Sequence, residues 1–135
     1  MTLLRRTSCM SSAGGLHVLV VEDHEDSREM LRHLLESAGH RVSEAADGPT
    51  AVAEALRLQP DAALIDVGLP GLDGYEVAKR IREAGMAQPR LIAVSGFGRP
   101  EDRSRAHAAG FDDHLVKPVS LERLVGALAR EPHGA

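Results

Sequence analysis

Short apolar runs alternate along this chain with longer amphipathic segments, regularly enough to predict most of its elements. Residues 16–21, 61–66, 90–95 and 111–116 read as strands, and 41–45 as a weaker one whose polar content suits a sheet edge. The run Ala62-Ala63-Leu64-Ile65 is apolar at consecutive positions, the pattern of a strand covered on both faces. The helices fall between. Residues 26–38 place Met30, Leu31, Leu34, Leu35 and Ala38 on one face, and Gly39 stands where a left-handed residue would end that helix. Gly48-Pro49 opens a second helix, with Ala51, Val52, Ala55 and Leu56 inward, and Gln59-Pro60 stops it. Asp73 is placed to cap a third, carrying Val77, Ile81 and Ala84 and ended by Gly85. A fourth, at 100–109, offers mostly Ala106, Ala108 and Ala109, so it buries little and is expected to be weakly anchored. Ser120 caps a last helix bearing Leu121, Leu124, Val125 and Leu128. Strands and helices in strict alternation predict an α/β fold, a doubly wound five-stranded parallel sheet.

In such a sheet the carboxyl ends of all strands lie on one edge, where the ligand crevice forms. The first strand runs into Glu22-Asp23, the third ends at Asp66, the fourth delivers Ser95, and the fifth delivers Lys117-Pro118. Three carboxylates, a hydroxyl and an ammonium are thus expected to converge from distant segments. Like charges so placed repel unless a cation neutralises them, and an all-oxygen set with room for water favours a hard divalent ion such as Mg²⁺. Without metal, at least one carboxylate should have a raised pKa. With metal, one carboxylate can remain free as a nucleophile, while Lys117 and Ser95 offer a fixed charge and a donor for phosphoryl oxygens. The chemistry this set suits is phosphoryl transfer.

Composition narrows the alternatives. The length of 135 residues fits one domain, and a formal charge of -4 disfavours direct nucleic-acid binding, which needs a basic face. No apolar stretch reaches the ~20 residues of a membrane span, so no membrane insertion is expected. The single Cys9 makes no intramolecular disulfide, and a cytoplasmic location is the simplest. Residues 1–15, with Ser11-Ser12-Ala13-Gly14-Gly15, read as a flexible extension or linker, 16–130 as the domain, and 131–135 as a tail. The histidines at 17, 24, 33, 40, 107 and 133 show no ligand spacing and read as surface groups.

The segments Val20-Val21-Glu22-Asp23, Leu64-Ile65-Asp66, Leu69-Pro70-Gly71-Leu72-Asp73-Gly74, Val94-Ser95-Gly96 and Val116-Lys117-Pro118 occur in an order and spacing that resemble the receiver domain of two-component response regulators, in the manner of the chemotaxis response regulator. Each alone is weak: Asp66 could be a turn residue, Glu22-Asp23 a helix cap, Lys117-Pro118 a surface turn. Together they cover the chain from about 16 to 129. The resemblance implies a flavodoxin-like fold with strand order 2-1-3-4-5. It further implies that Asp66 is the phosphoacceptor for a histidine kinase or phosphotransfer domain. Glu22, Asp23, Asp66 and the backbone carbonyl of Gly68 would hold Mg²⁺, and Ser95 and Lys117 would meet the phosphoryl group. Lys117-Pro118 would be cis. Output would pass to a downstream protein partner or an attached domain. The segment 66–75 also looks like receivers of hybrid sensor kinases.

Two positions depart from the familiar pattern. His114 stands where the family often has Tyr or Phe as a switch partner for Ser95, which predicts a switch sensitive to protonation. Gly68 stands where a side chain often influences attacking water, and Phe97 is the residue expected to cover the site instead, leaving the phosphoryl lifetime open. A haloacid dehalogenase-type enzyme would also use an Asp nucleophile with Mg²⁺, but it wants a second Asp where this chain has Gly68. A degenerate receiver serving only as an interaction module would have lost Asp66 or Lys117, and both are present.

Overall fold

The structure, a computed structural model, describes residues 15–85, 89–96 and 98–129. The expected tail, most of the expected N-terminal extension, and Phe97 therefore lie outside the described residues. In chain order the elements are β1 (His17–Val21), α1 (Glu25–Ser37), β2 (Arg41–Ala45), α2 (Gly48–Leu58), β3 (Ala62–Asp66), α3 (Gly74–Glu83), β4 (Arg90–Ser95), α4 (Pro100–Ala109), β5 (Asp113–Val116) and α5 (Leu121–Ala129). The strands form one parallel sheet in the order β2-β1-β3-β4-β5.

Alternation along each central strand builds two cores. Leu19, Val21, Ala63, Ile65, Leu91 and Ala93 meet Ala51 and Ala55 of α2, Val77 and Ile81 of α3, and Ala106 and Ala109 of α4. Val18, Val20, Ala62, Leu64, Ile92 and Val94 meet Leu31 and Leu35 of α1 and Leu124, Ala127 and Leu128 of α5. Both faces are covered, which is why these strands need apolar residues at every position. Each buried Leu, Ile or Val contributes about 1.5–3 kcal/mol relative to an exposed one. The sheet therefore rests on its three central strands. The polar β2 takes an edge and pairs only with β1.

Local chemistry sets the element ends. Asp73 Oδ1 accepts from Glu76 N at 3.0 Å and Ser120 Oγ from Arg123 N at 3.2 Å, so both expected caps form. Asp47, not singled out from the sequence, caps α2 by accepting from Thr50 N at 2.8 Å. Gly39 has φ 94°, the left-handed conformation expected after α1.

Several residues expected to face inward do not. Met30, Leu56, Leu121 and Val125 are 52%, 39%, 39% and 43% exposed, because the sheet touches a narrower arc of each helix than its apolar stripe spans. Ala84 is exposed because α3 stops at Glu83, leaving Ala84 as its C-cap. Strand β5 begins at Asp113 rather than at 111. Phe111 precedes it, its N–H bonded to Ala106 O at 3.0 Å, and its ring meets Tyr75 edge-on with centroids 6.3 Å apart. Helix α4 buries just Ala106 and Ala109, consistent with the weak anchoring expected of it.

Candidate functional site

The carboxyl ends of β1, β3, β4 and β5 bring the expected residues to one edge. Glu22 continues the β1 backbone, donating its N–H to Ala45 O at 3.1 Å, and its side chain is fully buried. Asp66, the last residue of β3, is 8% exposed, and Ser95, the last of β4, is 3% exposed. Lys117 follows β5 and donates its backbone N–H to Ser95 O at 2.7 Å, which fixes the end of β5 beside that of β4. The Lys117-Pro118 peptide is cis.

From there the Lys117 ammonium reaches across the edge. Nζ donates to Asp66 Oδ2 and to Glu22 Oε1, each at 3.2 Å, drawing together residues 51 and 95 positions distant. Burial pushes the Glu22 carboxyl above its usual range, and the Asp66 charge adds to this; the His24 N–H and Lys117 oppose without reversing it. For Lys117, burial works downward. The hydrogen bond to Asp66 and the charges of Asp66 and Glu22 outweigh that burial, so the ammonium is held above its usual range.

Two backbones shape the ground around Asp66. Gly68 N donates to Asp66 Oδ1 at 2.9 Å, orienting the carboxylate. Gly74, the first residue of α3, lies directly against that turn: a Cβ there would sit 2.6 Å from both Asp66 O and Val67 Cα. The glycine is required by this close approach of helix and strand end.

Asp23 is less buried than Glu22, its side chain 30% exposed. His24 is 78% exposed, as a surface group should be, yet its Nδ1 lies 3.6 Å from both Glu22 Oε2 and Asp23 Oδ1. One ligand atom from each of these three residues lies within 4.8 Å of the others. Arg28, also not singled out from the sequence, donates to Glu22 O at 2.9 Å and to Glu44 Oε1 at 3.3 Å, and Arg32 meets Glu44 Oε2 at 2.9 Å. These ion pairs tie the start of α1 to the edge strand beside the acidic pair. No residue pattern marks Arg28 in advance, since an arginine on a helix face is ordinarily solvated.

Ser95 and His114 form a pair of their own. Ser95 Oγ and His114 Nε2 are 2.7 Å apart, and burial holds the imidazole below its usual range. His114 thus points inward to the residue with which it was expected to switch.

The donor set fits a hard divalent cation. Glu22, Asp23 and Asp66 are oxygen donors carrying three potential negative charges, with one ammonium bridging Glu22 and Asp66 and the Gly68 carbonyl two residues beyond Asp66. A divalent ion would remove the residual repulsion that this arrangement retains.

A family model described as the response regulator receiver domain matches residues 18–129. Transcriptional regulatory protein TcrA of Mycobacterium tuberculosis is 39% identical over 114 residues; the match takes in 84% of this chain but 45% of TcrA, so the chain spans under half of that relative. Chemotaxis protein CheY4 of Vibrio cholerae superposes with a TM-score of 0.79 at 32% identity, covering 84% of this chain and 96% of that one. The receiver domain of sensor histidine kinase PA1611 of Pseudomonas aeruginosa PAO1, with a magnesium ion coordinated in its active-site cleft, superposes with a TM-score of 0.76 at 37% identity. That match covers 84% of this chain and 94% of the other.

Proposed function

The chain belongs to the response regulator receiver domain family of two-component signalling, and from that premise we propose that it is a phosphoacceptor in which Asp66 takes a phosphoryl group from a histidine kinase or histidine phosphotransfer domain. The observation that carries this reading is the Lys117 ammonium bonded to both Asp66 and Glu22 at a buried sheet edge. In the transfer, an Asp66 carboxylate oxygen bonds to phosphorus, the bond from phosphorus to the donor imidazole nitrogen breaks, and the imidazole leaves with its electron pair. Asp66 is oriented for this by the Gly68 N–H on its other oxygen. Lys117 keeps a fixed positive charge where the phosphoryl oxygens arrive. Glu22, Asp23, Asp66 and the Gly68 carbonyl would hold Mg²⁺, which when bound neutralises charge on the phosphoryl oxygens.

Ser95 is the hydroxyl that meets the modified Asp66, and His114 is its switch partner. Phosphorylation adds charge and strong acceptors at the strand ends. Helix α4, buried through two alanines alone, is the element most easily biased by that change. The altered α4–β5–α5 face then engages a downstream protein partner or an attached domain. The domain acts as a signalling phosphoacceptor that promotes its own phosphorylation and dephosphorylation; kinase activity would lie in another domain or protein. Among the described residues no helix is long and apolar enough to cross a membrane. Cytoplasmic signalling follows from the need for a histidine donor and Mg²⁺.

The test is intact mass after incubation with acetyl phosphate and Mg²⁺. One Mg²⁺-dependent phosphoryl adduct is expected on the native chain and none on Asp66→Asn. An adduct that persists on Asp66→Asn would overturn the assignment.

A further inference from the structure

Helix α1 begins on a residue whose side chain does not cap it. His24 holds the N-cap position in extended conformation, φ −81° and ψ 122°, and its side chain makes no bond to the first turn. The imidazole lies beside the acidic pair instead. Its backbone is tied there, since His24 N–H donates to Glu22 Oε2 at 3.1 Å. Nδ1 stands 3.6 Å from Glu22 Oε2 and 3.6 Å from Asp23 Oδ1. That is too long for a hydrogen bond. It is close to the spacing of neighbouring donors on one small ion: carboxylate oxygens and imidazole nitrogens bind zinc at about 2.0–2.2 Å, which sets them about 3.0–3.5 Å apart. The imidazole is 78% exposed, so a small movement closes the difference.

Glu22 separates this trio from an ordinary exposed cluster. Its carboxylate is fully buried, with Oε1 bonded to Lys117 Nζ and Oε2 on the side of His24. A carboxylate taken out of water beside two others needs positive charge, and Lys117 supplies it to Oε1 alone. We propose that His24 is a nitrogen ligand of the cation site and sets its metal preference: Glu22, Asp23 and His24 together offer oxygen and nitrogen donors that hold a first-row transition ion such as Zn²⁺. This deepens, and rests on, the phosphoacceptor reading above, because the ion is the one that reading requires beside Asp66.

The chemistry of the two ions makes the role of His24 separable from that of the carboxylates. Mg²⁺ takes oxygen ligands and keeps several waters, so it gains little from an imidazole. Zinc, nickel and copper bind imidazole well. Carboxylates alone also bind zinc, so a preference for zinc by itself says nothing of His24. The diagnostic is the part of that preference that disappears with the imidazole. A solvated histidine beside two carboxylates would contribute charge only and would affect both ions alike.

Two measurements on the full chain decide this. The first is calorimetric titration with ZnCl₂ and with MgCl₂ at pH 8, in wild type, His24→Ala and Asp23→Asn. His24→Ala should weaken Zn²⁺ by about ten- to a hundredfold, the loss seen even when a residue that only supports a metal ligand is removed. Its Mg²⁺ affinity should change by less than about twofold. The second is the ring ¹⁵N spectrum of His24 with and without Zn²⁺, in which the Nδ1 resonance should move far more than Nε2. Equal changes for the two ions in His24→Ala, or an unmoved Nδ1 in zinc-loaded protein, would overturn the proposal. So would zinc affinity untouched by Asp23→Asn, which places the ion elsewhere. Mg²⁺ bound to wild type with no effect of His24 on zinc ends the role of His24 and leaves the phosphoacceptor reading standing. Wild type that binds neither ion would contradict the cation site of that reading, and this proposal with it.

Discussion

Lys117 Nζ donates to Asp66 Oδ2 at 3.2 Å, joining the end of the third strand to the residue after the fifth. The same ammonium bonds Glu22, so its removal leaves two carboxylates facing one another. Lys117→Ala is expected to destabilise the metal-free fold by about 1 kcal/mol, a small figure because the lysine is partly exposed. Its larger effect should be on signalling. The variant should still take phosphate from acetyl phosphate, while amide shifts on the α4–β5–α5 face stay close to their unphosphorylated positions. Wild-type-sized shifts would remove Lys117 from the switch.

Glu22 is fully buried and its carboxyl is held above the usual range chiefly by that burial. A group raised in this way favours the fold when protonated and costs stability as pH rises through its folded pKa. Glu22→Gln abolishes that cost at neutral pH. In metal-free buffer at pH 7 the variant should be more stable by about 1 kcal/mol, or roughly 3–6 °C in Tm. Added Mg²⁺ should raise the Tm of wild type and have much less effect on the variant. A lower metal-free Tm would contradict the sign.

The two glycines near Asp66 should behave in opposite ways. A Cβ on Gly74 meets the backbone of Asp66 and Val67 at 2.6 Å, and neither can yield without moving the acceptor. Gly74→Ala is expected to cost about 1–3 kcal/mol and to slow phosphorylation. A Cβ on Gly68 meets Asp66 Oδ1 at 3.5 Å, an ordinary contact. Gly68→Ala should leave stability within about 0.5 kcal/mol and, by narrowing the approach of water, lengthen the life of the phosphoryl group. Denaturant melts and the decay of the phosphoryl adduct measure both.

At the opposite end of the sheet, burial holds the His40 imidazole below its usual range, and His40 Nδ1 accepts the Leu16 N–H at 3.2 Å. Protonating Nδ1 breaks that bond. A base whose folded pKa is depressed gives stability that is complete above its unfolded value and lost as pH falls through the folded one. His17, depressed mainly by burial and further by Arg41, acts in the same direction. The Tm should therefore fall from about pH 6.5 downward. His40→Asn, which offers a carbonyl oxygen in place of Nδ1, should flatten part of that fall. An unchanged profile would exclude His40 as its source.

Much of this was legible because the site residues sit at strand ends, where an apolar run stops at a charge. Leu64-Ile65-Asp66 and Val94-Ser95 show both the strand and the candidate site residue in a few letters. The weak β2 was readable for the same reason, since its polar residues fit an edge. What escaped depends on relations between elements. Met30, Leu121 and Val125 lie on apolar stripes, but how wide an arc the sheet covers is settled by packing. The hold of Arg28 on Glu22 depends on where α1 begins, and the approach of His24 to the acidic pair on how the chain turns after β1. That no side chain fits at Gly74 is set by the contact of α3 with the backbone of Asp66 and Val67.

The most direct test of the central claim is to trap the phosphorylated protein with borohydride, which reduces an aspartyl phosphate to homoserine, and to locate the product by peptide mass spectrometry. Homoserine at position 66 alone, dependent on Mg²⁺ and on a phosphohistidine donor, is the expected result. Homoserine at another aspartate, with Asp66 recovered unchanged, would contradict the account.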